Sequence, residues 1–153
     1  MSAQTTEQTT EQAIEQVAVQ GRCLCGAVRF RALAGTAMDA CHCGMCRRWG
    51  GGPLLAVNCG SSVEFEGTEA IAVYGSSDWA ERAFCRSCGT HLFYRFIPDN
   101  RYIVPVGLLT PQHPFVFTEQ IFIDHKPAYY CFANSTLELT EAEVLAQYAE
   151  PDV

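Results

Sequence analysis

Seven of the chain's nine cysteines fall into three short knots, and their spacing constrains what the chain can fold into. The knots are Cys23-Leu24-Cys25-Gly26, Cys41-His42-Cys43-Gly44-Met45-Cys46 and Cys85-Arg86-Ser87-Cys88-Gly89. Zinc takes four ligands at the corners of a tetrahedron, and a tight turn can offer it two thiolates at once. A glycine directly after the second cysteine lets such a turn bend with positive φ and aims amides at the sulfurs. Gly26 and Gly89 hold that position in the first and third knots. Cys23, Cys25, Cys85 and Cys88 therefore make up a closed, structural Zn2+ site. It would clip strands roughly sixty residues apart, where a cross-link removes much loop entropy from the unfolded chain. The middle knot offers three thiolates, Cys41, Cys43 and Cys46, within six residues. Three protein ligands and an open fourth position form the pattern of a catalytic zinc. His42 lies between two of these ligands, so its side chain tends to point away from the ion. His91, His113 and His125 stay open as a fourth ligand. Cys59 and Cys131 belong to no knot and read as small buried hydrophobes.

The rest of the composition narrows the class. With 48% hydrophobic and 11% aromatic residues among 153, the chain can bury a core as one domain, and wholesale disorder is excluded. No apolar run approaches the roughly 20 residues that cross a bilayer, so no membrane span is expected. A net charge of −7 argues against nucleic acid as a partner. The opening MSAQTTEQTTEQ has neither a basic start nor an apolar stretch, so no secretory leader is expected. Many cysteines without export then point to metal ligation in a reducing, cytoplasmic setting. Residues 1–20, rich in Gln, Thr and Glu, read as a flexible tail or a weak helix, and residues 21–153 as one domain.

Short β-prone runs dominate that domain: Ala27–Ala32, Leu54–Val57, Val63–Phe65, Ile71–Tyr74, Thr90–Phe96, Tyr102–Val106 and Phe115–Ile123. Glycine- and proline-rich turns separate them, and Pro105 suits only an edge or a strand end. The expected fold is mainly β, with short antiparallel sheets and a short C-terminal helix. That helix is announced by Thr140 with Glu143, a capping-box pair, followed by Val144, Leu145 and Tyr148 on one face. Gly50-Gly51-Gly52 lacks the Lys-Ser/Thr of a phosphate loop, and no nucleophilic triad is visible.

Gly21-Arg-Cys-Leu-Cys-Gly-Ala-Val-Arg-Phe30, Cys41-His-Cys-Gly-Met-Cys-Arg47, Phe84-Cys-Arg-Ser-Cys-Gly-Thr90 and Leu92-Phe93 together resemble the glutathione-dependent formaldehyde-activating enzyme family, which includes centromere protein V. The resemblance spans about Gly21 to Tyr130. Gln120–Tyr129 is similar to the family's last strand, although the family often has a tryptophan near Tyr129 or Tyr130. The resemblance implies a zinc-clipped β-tent, a fold shared with methionine-R-sulfoxide reductases. It implies that Cys23, Cys25, Cys85 and Cys88 hold a structural zinc, and that Cys41, Cys43 and Cys46 hold a catalytic-type zinc. The activity it implies is that of a carbon–sulfur lyase, making or breaking the carbon–sulfur bond of S-hydroxymethylglutathione.

The expected partner is thus a small-molecule thiol or aldehyde, glutathione among them. Three thiolates leave a zinc site with net charge −1, so a neighbouring cation would help a thiolate to approach. Arg47 and Arg48 follow Cys46 directly and could balance the site or hold a substrate carboxylate, or be solvated surface residues. Trp49 could wall the pocket or pack in the core. Two other classes compete. One is a non-catalytic zinc module, used for partner binding or metal handling, which needs a fourth protein ligand at the middle knot. The other is a sulfoxide reductase, for which Cys131 in Tyr130–Ser135 would be the nucleophile.

Overall fold

In the computed structural model, which describes residues 15–113 and 115–148, the chain forms two sheets facing each other across one apolar core. The small sheet has the order β10-β1-β2-β5. Its strands are β1 (Gln16–Arg22), β2 (Arg29–Gly35), β5 (Glu64–Glu66) and β10 (Leu109–Thr110). The large sheet has the order β12-β11-β3-β4-β9-β8-β7-β6. Its strands are β3 (Ala37–Cys41), β4 (Leu54–Asn58), β6 (Ile71–Gly75), β7 (Ala80–Cys85), β8 (His91–Phe96), β9 (Arg101–Pro105), β11 (Val116–Ile121) and β12 (Leu137–Leu139). Among the described residues, two α-helices, α1 (Gly44–Gly50) and α2 (Glu141–Tyr148), accompany the sheets.

The mainly-β expectation and the C-terminal helix hold. Alternation explains the inward faces: Phe30, Ala32 and Ala34 of β2 are buried while Arg29, Arg31 and Leu33 are exposed. They meet Val57, Ala83, Leu92, Phe93 and Val104 from the large sheet, with Val28, Cys23 and Cys85 in the same cluster. Pro105 ends β9, as proline's missing donor requires.

Three differences from the sequence reading carry information. The tail expected over residues 1–20 is already a strand from Gln16, and Val19 is 2% exposed. Val17 and Val19 turn inward while the interleaved Gln16, Ala18 and Gln20 face water, so a polar-looking segment fills the middle of the small sheet. Residues 1–14 lie outside the described residues. The pairing is also not wholly antiparallel, since β11 runs parallel to both β3 and β12. That register sets Asp39 opposite Glu119. Burial first, and Glu119 second, push the Asp39 carboxyl up to about 7. Finally, α2 buries only Val144, because Leu145 and Tyr148 are both more than half exposed. Tyr148 instead lies beside Phe96, with ring centroids 5.4 Å apart.

Gly21 shows how closely the small sheet is packed. It stands opposite Phe30 in the β1–β2 register, and a Cβ built on it would meet the Phe30 ring at 2.1 Å. That ring is 3% exposed and cannot swing away. Gly21→Ala is expected to cost about 1–3 kcal/mol in urea unfolding, the usual range for overpacking. Gly50→Ala, whose Cβ meets nothing within 4 Å, serves as the near-neutral control.

The capping box at α2 forms as expected. The Thr140 amide donates to Glu143 Oε1 at 3.0 Å, and the Glu143 amide donates back to Thr140 Oγ1 at 3.2 Å. The Thr140 amide and hydroxyl hold the Glu143 carboxyl below its usual 4.5. A depressed carboxylate stabilises above its unfolded value and loses that contribution as pH falls through the folded one. Amide protection in α2, taken relative to the intrinsic exchange rate at each pH, is therefore expected to fall on acidification, and Glu143→Gln is expected to flatten that dependence.

Candidate metal centres

The first centre joins the two sheets. Cys23 and Cys25 lie in the turn after β1, Cys85 ends β7, and Cys88 sits in the turn before β8. The four sulfurs lie within 4.8 Å of one another. Cys23 and Cys25 are 3.6 Å apart, and Cys25 and Cys85 are 3.8 Å apart. Those separations are far from a disulfide bond of about 2.05 Å. They match the edge of a tetrahedron with sulfur about 2.3 Å from zinc, which is about 3.8 Å. The donor set therefore fits a closed four-thiolate metal site.

Backbone geometry builds both turns alike. Gly26 and Gly89 have φ of +81° and +79°. Their amides donate to the carbonyls of Cys23 (3.1 Å) and Cys85 (2.8 Å). The Val28 amide donates to Cys23 Sγ at 3.3 Å. Thr90 links the two turns: its Oγ1 accepts from the Leu24 amide at 3.0 Å and lies 3.2 Å from Cys88 Sγ. That hydroxyl, with the Thr90 amide, pulls the Cys88 thiol down to about 5.

The second centre lies where β3 passes into α1. Cys41 ends the strand, Cys43 is the N-cap of α1, and Cys46 lies in its first turn. Their sulfurs also lie within 4.8 Å of one another. Cys41 and Cys46 are buried, and Cys43 is half-buried. The Cys46 amide donates to Cys43 Sγ at 3.3 Å. Hydrogen bonds from Cys41 and then Cys46 hold the Cys43 thiol far below its ordinary range, while the same contacts and burial push Cys41 up. Among the described residues no histidine or carboxylate joins this trio. The set therefore fits a metal held by three protein ligands.

The candidate fourth ligands are engaged elsewhere. His42 is fully buried and turned away from the sulfurs. Gln120 Nε2 donates to Thr136 Oγ1 (3.0 Å), which leaves Gln120 Oε1 to accept from His42 Nε2–H (2.8 Å). Burial keeps the imidazole neutral by lowering its pKa, so Nδ1 is bare and accepts the Tyr130 hydroxyl at 2.7 Å. His91 stacks on Trp49, with centroids 4.1 Å apart and planes within 11°. His125 bonds Glu141 Oε2 at 2.8 Å, while Asp124 Oδ1 accepts the Glu141 amide. That cluster is exposed and braces the start of α2. His113 is exposed and joins no such group.

The residues expected beside the second centre divide. Arg47 Nε donates to the His42 carbonyl at 3.0 Å, and Arg48 is exposed. Both guanidinium groups fold back over Gly44, where a built Cβ would meet Arg48 Nη1 at 3.2 Å and Arg47 Nη2 at 3.9 Å. Trp49 packs on His91. Sequence reasoning missed Arg82 of β7. This arginine is 5% exposed and donates through Nη1 to Cys46 Sγ at 3.6 Å. Its guanidinium carbon stands 5.1 Å from the ring centroids of both Trp49 and Tyr94. In sequence it stands in Ala80–Cys85, outside the β-prone runs, and only its burial betrays it.

The two cysteines outside the knots differ. Cys59 is 2% exposed, and burial pushes its thiol up to about 12, as a small buried hydrophobe should behave. Cys131 is exposed, against expectation. The segment Tyr130–Ser135 is irregular rather than a strand, which removes the ground for a sulfoxide-reductase nucleophile there.

Fold and sites thus define a two-sheet β domain carrying one four-cysteine and one three-cysteine cluster, each of which could hold a metal ion. Residues 18–125 match the family profile described as glutathione-dependent formaldehyde-activating enzyme. A Schizosaccharomyces pombe protein named an uncharacterized lyase is 35% identical over 128 residues, covering 82% of this chain and 93% of its own. A Halomonas elongata protein named "Putative glutathione-dependent formaldehyde-activating enzyme" is 32% identical over 85 residues, covering 49% of this chain and 54% of its own. The crystal structure of a Rhodobacter sphaeroides protein superposes with a TM-score of 0.53 at 27% identity, over 62% of this chain and 91% of the other. The chain belongs to the glutathione-dependent formaldehyde-activating enzyme family.

The two clusters are expected to differ in what they support. Cys88→Ser should leave the chain unfolded at 25 °C, because metal-binding energy at a closed site is folding energy. Cys43→Ser should keep the native circular-dichroism spectrum and lose only one equivalent of zinc by elemental analysis.

Proposed function

We propose that the chain is a zinc-dependent carbon–sulfur lyase acting on thiol–aldehyde adducts, with S-hydroxymethylglutathione as the substrate type. The observation that carries this reading is the convergence of Cys41, Cys43 and Cys46 without a fourth protein ligand among the described residues. The family and the names of the relatives support it. A closed, purely structural centre would need that fourth ligand, so the non-catalytic alternative is the weaker one.

In the cleavage direction the carbon–sulfur bond of the adduct breaks and its electron pair leaves on sulfur. The hydroxyl proton departs, and the carbon–oxygen bond becomes the carbonyl of formaldehyde. The sulfur recovers a proton, so the products are one thiol and one aldehyde with no redox change. A zinc held by Cys41, Cys43 and Cys46 would supply Lewis acidity and favour the thiolate form of a bound thiol.

The chain's own residues set the stage for that chemistry. Cys41 and Cys46 are fixed by burial, while Cys43 faces the accessible side. His42, locked between Gln120 and Tyr130, fixes the turn that spaces Cys41 from Cys43. Arg48, exposed over Gly44, would hold a carboxylate of glutathione through paired N–H donors. Arg47 spends its Nε on the His42 carbonyl and has its terminal nitrogens left for the same task. Trp49 forms the aromatic wall between this cluster and β8.

Exchange spectroscopy by NMR on a glutathione–formaldehyde mixture tests the reading. The zinc-loaded chain is expected to speed adduct exchange well above the protein-free mixture. Cys43→Ser should lower the rate by about 100-fold or more, the scale for losing a group that organises the transition state. Rates equal to the protein-free mixture would refute the activity.

A further inference from the structure

A buried arginine needs an anion. Arg82 is 5% exposed, and among the described residues it forms no salt bridge with a carboxylate. Its Nε is buried without a hydrogen-bond partner. An unpaired guanidinium in such a place is strongly unfavourable unless negative charge stands beside it. The group it touches is Cys46, at 3.6 Å from Nη1. Trp49 and Tyr94 hold the planar group from two directions, each with its centroid 5.1 Å from the guanidinium carbon. Arg47 and Arg48 differ: one is half-exposed, the other exposed, where solvent screens their charge.

Resting on the lyase reading, we propose that Arg82 makes the Cys41–Cys43–Cys46 centre an acceptor of anionic ligands, and that it is the positioning residue that admits a thiolate. Three thiolates around a divalent ion carry net charge −1, which repels a further anion. The fixed charge of Arg82 brings the surroundings to neutrality, so an arriving thiolate meets no net repulsion. A guanidinium keeps its charge throughout the accessible pH range. Its aromatic walls let it lie beside the sulfur without a carboxylate to neutralise it first. A neutral ligand gains nothing from this arrangement, so Arg82 selects by charge.

The test uses the full chain loaded with cobalt(II), whose absorption bands report ligands directly. 2-Mercaptoethanol serves as the thiol and imidazole as the neutral ligand, each titrated against wild type, Arg82→Met and Arg82→Lys. Wild type is expected to bind both. Arg82→Met should bind the thiol 10- to 100-fold more weakly and imidazole within about 2-fold of wild type. Arg82→Lys should recover part of the thiol affinity. Equal thiol affinity in Arg82→Met and wild type would overturn the proposal. So would an equal loss of thiol and imidazole, which is what a merely structural role produces. Should Arg82→Met fail to fold, Arg82→Gln against Arg82→Lys makes the same comparison, and equal thiol affinity in those two also overturns it. The two readings fail separately. A clear Arg82 effect without faster adduct exchange sinks the lyase assignment alone, and faster exchange without an Arg82 effect sinks this inference alone.

Discussion

Four sulfurs drawn together from both sheets impose the constraint on which the rest of the fold depends. Cys23 and Cys25 come from the end of the small sheet's central strand, and Cys85 and Cys88 from the β7–β8 hairpin of the large sheet. The Cys25–Cys85 pair bridges 60 residues of chain, so closing it removes a large share of the unfolded chain's freedom. The core behind it is modest, built from Ala32, Ala34, Ala83, Val28, Val57 and Val104 around Leu92, Phe30 and Phe93. Such a core would benefit from a metal clip at these four sulfurs. The two cysteine turns repeat one design, a positive-φ glycine after the second cysteine and amides directed at the first, so the same local chemistry recurs at both ends of the bridge.

The second cluster depends on its surroundings in another way. Its three sulfurs come from one short stretch, yet their arrangement is set by residues far along the chain. Burial of Cys41 and Cys46 comes from their place between the β3 end and α1, and the charge beside them comes from β7. The division is therefore between a cluster that could clip the sheets together through a metal ion and a cluster that the sheets hold in place.

Much of this was legible in the sequence because ligand chemistry is local. Knot spacing partitioned the seven cysteines, and the glycines after Cys25 and Cys88 signalled their turns. Thr140 and Glu143 announced α2. What escaped depends on partners the sequence does not display. Strand β1 hid because Gln16, Ala18 and Gln20 mask the inward Val17 and Val19. The parallel course of β11 could not be read, since strand direction is decided by the path of the chain and not by its side chains. Arg82 lies in β7, a stretch outside the β-prone runs of the sequence reading, and its burial depends on Trp49 of α1 and Tyr94 of β8 closing over it. Arg47 and Arg48 stood out because they adjoin Cys46 in sequence, although adjacency in sequence leaves both more solvated than Arg82.

The parallel course of β11 sets Gln120 beside His42, 78 residues earlier in the chain, and Tyr130 closes the other side of the same ring. The bite of the three-thiol turn is thereby adjusted from the far end of the polypeptide. A chain could keep every cysteine and still lose its reactivity through a change at Gln120 or Tyr130. Two proteins with identical metal ligands need not be the same catalyst.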